Sequence, residues 1–297
     1  MLNRLFAGFL FALTASSIVV ATSAQSAPTL LWKITSGSRT LYLTGDTQAL
    51  LPLDYPLPVQ VEQAFKQSGE LVLEGDPGAD SKQISALIQQ YGLLPAPTTL
   101  NDTLDVSQAN LVKRAFAEVG APFGKVEPLR PWLAAIVLTQ AQFARLGCDP
   151  KQQETEYFYK LAKSRGLPFT ALETAPKQLE LFADLSQTLQ VTWLTVTARQ
   201  WPQTASEQQA KRQDIVQAWR TGNTDALSKM LTREFDGQPD LYRALVTDRN
   251  EAWFKTLERR LATRGAPVFV LLGAGHLVGI GNLVSMLEQA GYGVTQL

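Results

Sequence analysis

The sequence holds a single histidine and a single cysteine in 297 residues. A zinc centre built on several nitrogen or sulfur ligands is thereby excluded. Any metal would have to be held mainly by oxygen, which favours harder ions such as Mn2+, Mg2+ or Ca2+. One thiol, Cys148, leaves no disulfide within the chain, and in "ARLGCDP" it reads as a small, partly buried residue. Neither charge is in excess, since Lys+Arg and Asp+Glu both number 27. No basic surface therefore marks a nucleic-acid partner or an anionic membrane. The sequence also lacks a Gly-x-x-x-x-Gly-Lys-Ser/Thr loop, a Gly-x-Ser-x-Gly elbow, a His-Glu-x-x-His pair and a Cys-x-x-Cys pair. Past residue 24 no apolar run approaches the ~18 residues of a membrane span, so the mature chain is expected to carry no transmembrane segment.

What is present suits a globular protein. A hydrophobic content of 45% with 9% aromatics is enough to bury a substantial core. The first 24 residues read as a secretory signal peptide: Arg4 supplies the positive region, Leu5 to Val20 the apolar one, and Ala21-Thr22-Ser23-Ala24 the small residues for cleavage. The mature chain is then expected to begin near Gln25 and to lie outside the cytoplasm, in the style of a bacterial periplasmic protein. Intact-mass measurement on the exported fraction checks this. A membrane-embedded species that retains residues 1–24 would make the segment an anchor instead.

Residues 25–297 are expected to form one domain with strands near both termini. "TLLWKIT" and "TLYLT" read as a hairpin about Ser36-Gly37-Ser38-Arg39. A Pro-rich link, "LPLDYPLP", leads to a helix around Val59 to Ser68 and to the strand "ELVLEGD". Helical patterns follow to about Gly166, then the strand "LPFTALET", then a second helical stretch over 177–263. The apolar run Val268 to Leu272 and the closing "YGVTQL" are the last strands. The expected fold is α/β: a mixed or mainly parallel sheet from about 29–76, 167–175 and 265–297, with a large helical insertion between.

Open α/β sheets bind ligands outside the carboxyl ends of their strands. Two such ends carry similar turns, "TLYLTGDTQALL" and "VFVLLGAGHLVG", with Gln48 in the place that His276 takes in the second. The second turn resembles a dinucleotide loop only superficially, because no acidic residue ends a following strand at the required spacing of about 20. Acidic residues do stand at other strand ends. Glu74 and Asp76 follow "ELVL", and Glu173 follows "PFTAL", where it serves either a site or the N-terminus of the helix opened by Thr174-Ala175-Pro176. Asp248 and Glu251 have the spacing of a capping box. Arg249 stands one turn before Trp253 and Leu257 on an apolar stripe, and there it must find an anionic partner or reach water.

The stretches "LLWKITSGSRTLYLTGDTQALLPLDYPLP", "LVLEGD", "LPFTALETAPKQLELFADL", "DRNEAWFKTLERRL" and "VFVLLGAGHLVGIGNLVSMLEQAGYGVTQL" resemble the TraB/GumN family. That family includes the Tiki-type metalloproteases and is related in fold to erythromycin-esterase and ChaN-like proteins. The resemblance implies a divalent-metal hydrolytic site made by two Gly-x-x-His turns and a strand-end glutamate. Carried onto this chain, the second turn is Gly273 to His276, the glutamate is Glu74 and an Arg-Asn pair is Arg249-Asn250. The first turn departs from the pattern: it reads Gly45-Asp46-Thr47-Gln48, with glutamine where the family has histidine. A neutral carboxamide is the weaker ligand for a transition metal, and Asp46 is the nearest substitute.

By that resemblance Glu74, Arg249 and His276 would be catalytic, and His276, Glu74, Gln48 and Asp46 would hold Mn, Co or a similar divalent ion. Gly45, Glu173, Asn250 and Gly273 would shape the cleft. Two functions are then open. One is an envelope hydrolase acting on peptide bonds, in which the ion activates water and Arg249 stabilises developing charge. The other is a degenerate member that binds a peptide or an envelope glycan without cutting it, and Gln48 favours this second reading.

Overall fold

The computed structural model describes residues 27–201 and 204–297. The signal segment at residues 1–24 lies outside them. Strand β1 (Leu31–Ser36) and strand β2 (Arg39–Asp46) pair antiparallel. Ser36 faces Arg39, so Gly37 and Ser38 alone make the turn, and Gly37 takes the positive φ of 55° that a tight hairpin requires. Helix α1 (Val59–Gln67) leads into β3 (Glu70–Leu73). Helices α2 (Ser81–Tyr91), α3 (Val106–Glu118), α4 (Pro131–Arg145) and α5 (Glu154–Ser164) separate β3 from β4 (Phe169–Ala171).

Six more helices follow β4: α6 (Ala175–Ala183), α7 (Gln187–Arg199), α8 (Ala205–Arg220), α9 (Thr224–Thr232), α10 (Pro239–Tyr242) and α11 (Asp248–Leu261). The chain ends in β5 (Val268–Gly273), α12 (Leu283–Gln289) and β6 (Gly293–Gln296). The expected architecture is therefore the observed one: strands near both termini and a long helical stretch interrupted by a single short strand.

The sheet order is β4-β3-β5-β2-β1-β6. The first four strands in that order run parallel, so their carboxyl ends share one edge. Strands β5 and β2 are neighbours, with Gly273 in register with Asp46, which puts the two similar turns side by side. β3 and β4 are shorter than the sequence suggests, ending at Leu73 and Ala171. Two further bonds, Leu172 N to Leu73 O and Glu173 N to Glu74 O at 2.9 Å, keep the chains together before Gly75-Asp76-Pro77 and Pro176 turn them apart.

Both faces of the sheet are covered, as the continuous apolar strands demand. Val268 to Leu272 are all at most 1% exposed. Phe65 of α1, Phe158 of α5 and Phe269 of β5 stack with centroids 4.8 to 5.4 Å apart, which fixes two helices on the sheet with a contact worth more than its area alone. The helical insertion has cores of its own, one around Phe116, Leu138 and Leu194, and one around Trp132, Phe182 and Leu241.

One local expectation fails at Asp248. No capping box opens α11 there, because the chain is already helical: α10 passes through a π turn, Arg243–Thr247, directly into α11, and Thr247 has helical dihedrals. A residue inside a continuing helix has no orphan backbone donor for Glu251 or Asp248 to cap.

A guanidinium clamp and a carboxyl pair at the strand ends

The side chains that α11 sends to the sheet edge are Arg249, Asn250 and Trp253, all buried. Arg249 makes a two-point contact with Glu173, Nε donating to Oε1 at 3.0 Å and Nη2 to Oε2 at 2.8 Å. The same Nη2 donates to Glu74 Oε1 at 2.5 Å. The guanidinium lies 4.5 Å from the Trp253 ring, and Trp253 Nε1 donates to Glu173 Oε1 at 3.0 Å. Glu173 thus sits wholly inside this clamp, and the helix it precedes is capped instead by Thr174, whose hydroxyl accepts from Lys177 N. Glu74 is more open, with 26% of its side chain exposed. Its Oε2 accepts from Gly273 N at 3.2 Å and its Oε1 also from Gln178 Nε2 at 3.3 Å. Burial pushes its carboxyl up, but the Arg249 charge and these bonds outweigh that and hold it below the usual range.

His276 is buried beneath the clamp, 4.5 Å from the Trp253 ring centroid. Asn250 sets its tautomer. The Asn250 amide nitrogen donates to the carbonyls of His276 (3.3 Å) and Gly281 (2.9 Å), so its oxygen is left to accept from His276 Nδ1–H at 2.8 Å. The lone pair is then on Nε2, and that nitrogen faces Arg249 Nη1 at 3.4 Å. Burial, with the Arg249 charge adding to it against Glu74, lowers the imidazole pKa to about 4. His276 is neutral at pH 7.

The first turn is built differently. Asp46 ends β2 buried, its Oδ1 accepting from Gln48 N at 2.7 Å and its Oδ2 from the hydroxyl and backbone nitrogen of Thr155. Glu154, the first residue of α5, is 1% exposed and accepts from the nitrogen and hydroxyl of Thr47, each at 3.2 Å. Its other oxygen receives no hydrogen bond. Burial raises both carboxyls, and Glu154 goes well above its usual range by burial first and by the Asp46 charge beside it second. The two carboxyls thus share one buried site, in which each disfavours the charge of the other.

A family model for the TraB/PrgY/gumN family matches residues 30–296. The chain belongs to this family. No curated protein matches it.

Within the TraB/PrgY/gumN fold of this chain, the strand-end residues fall into two groups. Glu74, Glu173, Arg249, Asn250, Gly273 and His276 come together; Asp46 and Gln48 join Thr47, Glu154 and Thr155. Gly45 explains how the turns approach so closely, since a Cβ there would stand 2.8 Å from Ala274 Cα and 2.7 Å from Leu30. Gly273 carries no such demand: its added Cβ would meet Glu74 at an ordinary 3.4 Å. A cleft of about 770 Å3 lies over the edge, with Asp46, Gln48, Glu74 and Gly273 in its wall, and a smaller cavity of about 230 Å3 shares Asp46, Gln48 and Gly273. His276 lines neither. Gln48 is exposed and has a φ of 55°, unusual outside glycine, and its carboxamide makes no hydrogen bond to the described residues.

The divalent ion implied by the resemblance does not fit these residues. The one imidazole lone pair faces a guanidinium, both Asp46 oxygens are taken, and Glu74 is ion-paired. Among the described residues no three His, Cys, Asp or Glu side chains converge as a metal-binding group. Cys148, packed against Leu146 and Trp201, has its thiol pushed up to about 11 by burial, as befits a core residue.

Sequence reasoning missed Glu154 and Thr155. In "QQETEYFYK" a glutamate in the first turn of a helix reads as a solvated partner of the helix dipole, and its burial is imposed by Thr47, 107 residues away. Glu154→Gln tests the pair. The glutamine keeps an acceptor for Thr47 and gives Asp46 a permanent donor. A folded carboxyl pKa raised above its unfolded value contributes stability below the unfolded value and loses it as pH rises through the folded one. The substitution is therefore expected to raise the melting temperature at pH 8 and to lose that advantage near pH 4. Glu154→Ala, which strands both Thr47 donors, is expected to cost about 1–3 kcal/mol at low pH.

Proposed function

We propose that this chain is a non-hydrolytic member of its family that holds a peptide or an envelope glycan in the strand-end cleft. The observation that carries the reading is the state of His276: both ring nitrogens are engaged, one by Asn250 and one by Arg249, beneath the cleft rather than in its wall. Where the family pattern has its other imidazole, Gln48 presents a free carboxamide to the cleft, a group that both donates and accepts and so suits amide or hydroxyl ligands. Glu74 beside it is ion-paired with Arg249, and Asp46 is held by Gln48 N and Thr155. Export to the envelope is part of the same proposal and rests on the character of residues 1–24.

Elemental analysis of the purified protein after exposure to Mn2+, Co2+ and Zn2+ tests this directly. No stoichiometric ion is expected, either in the native chain or in Gln48→His, because the added imidazole would find His276 Nε2 turned to Arg249. A bound ion at one equivalent, together with cleavage of peptide substrates that chelators abolish, would instead establish the metal-dependent hydrolase implied by the resemblance.

A further inference from the structure

A third concavity, of about 560 Å3, lies between α5 and the segment around Pro52 and Tyr55. Its walls are the Tyr55 and Tyr157 rings, Pro52 and Leu161. The two rings pack at 5.4 Å, and both hydroxyls are committed within the protein, Tyr55 to Gln152 O at 2.6 Å and Tyr157 to Glu62 Oε1 at 2.7 Å. The rings therefore offer apolar surface and no free polar handle. Leu53, 76% exposed, and Val59, 58% exposed, stand within four residues of Tyr55 on either side.

The rim is charged, and with one sign only. Lys151 and Lys160 line the groove and no carboxylate does. Lys160 is held by Glu156 at 3.2 Å and by the Lys151 carbonyl. The exposed Lys151 ammonium has no partner among the described residues. An apolar trough with an unpaired cation on its rim selects a ligand with an apolar body and a single anionic end. Its volume lies within the ~300–1,000 Å3 of small-molecule sites, whose walls are mainly apolar as this one's are.

We propose that this groove binds a single-chain fatty carboxylate, with the acyl chain along the Tyr55 and Tyr157 rings and the carboxylate at Lys151. The groove opens on another side from the strand-end cleft, and Lys151 and Lys160 line both. Calorimetric titration of the protein with octanoate, octanol and octyltrimethylammonium tests the assignment. Octanoate is expected to saturate one site and to weaken as NaCl is raised. Lys151→Glu should weaken octanoate about tenfold and leave octanol unchanged, because only the charged contact is reversed. Ser164→Trp, placed at the exposed end of α5 on the groove wall, should remove both ligands without lowering the melting temperature. Absence of saturable octanoate binding overturns the proposal. So does an octanoate affinity that survives both substitutions, or an octyltrimethylammonium affinity equal to that of octanoate.

Discussion

Arg249→Met is expected to destabilise the protein by about 3–5 kcal/mol in urea unfolding at pH 7, more than most single substitutions do. The methionine fills much of the same volume against Trp253 but supplies none of the donors. Glu173, buried, would keep only the Trp253 N–H, and Glu74 would lose its counter-charge. A buried ion pair is weak evidence for net stability, whereas removing one partner strands the other, and here one cation serves two anions. Arg249→Lys should recover part of the loss, since a single ammonium cannot span the fork between Glu173 Oε1 and Oε2. Arg249→Met with Glu173→Leu should recover more, by removing a charge with its partner. A loss below about 1 kcal/mol for Arg249→Met would mean that the clamp is not what holds α11 to the sheet edge.

The second large effect is one of pH. His276 has a folded pKa of about 4 against 6.5 for an unperturbed imidazole. As pH falls below 6.5 the unfolded chain takes up a proton that the native protein refuses until about pH 4. Stability should therefore decline across that window, by about 3 kcal/mol in all at 1.4 kcal/mol per unit. No other imidazole contributes to the decline, because the sequence has no other histidine. Glu154 acts in the opposite direction over the same range, its contribution shrinking as pH rises. The measurement is accordingly cleanest in Glu154→Gln. His276→Gln in that background should abolish the slope between pH 6.5 and 4.5; a slope that persists would assign the decline to carboxylates instead.

Much of this arrangement is legible in the residues themselves. Short apolar runs ending in Glu74, Glu173 and Gly273 place all three at strand ends, because a buried parallel strand needs continuous apolar residues and turns where they stop. Arg249 on an apolar stripe states its own need for an anion, and it finds two. The sequence does not reveal that the two turns are built differently. Their similarity, Gly-x-x-Gln beside Gly-x-x-His, suggests matched side chains, yet Gln48 turns outward in a left-handed conformation while His276 turns inward under Asn250. That difference is made by residues far away in the chain: Glu154 and Thr155 tie down the first turn, Asn250 and Arg249 the second. Local pattern carries local conformation, and partners supplied from 26 to 109 residues away leave no trace in the turns themselves.

The π turn at Arg243–Thr247 has a consequence for how the chain tolerates change. Such a turn is an α-helix with one residue too many. Deleting any one of its five residues would let the helix close normally and would rotate α11 by ~100° relative to α10, the angle of one residue. Arg249 and Trp253 would then leave the sheet edge together, although neither had been mutated. Substitution at the outward positions of that turn leaves the phase intact, whereas Leu245 and Val246 also pack in the core, and deletion there dismantles the site from a distance. Those five positions specify a phase between two helical faces, and that phase is set by their number.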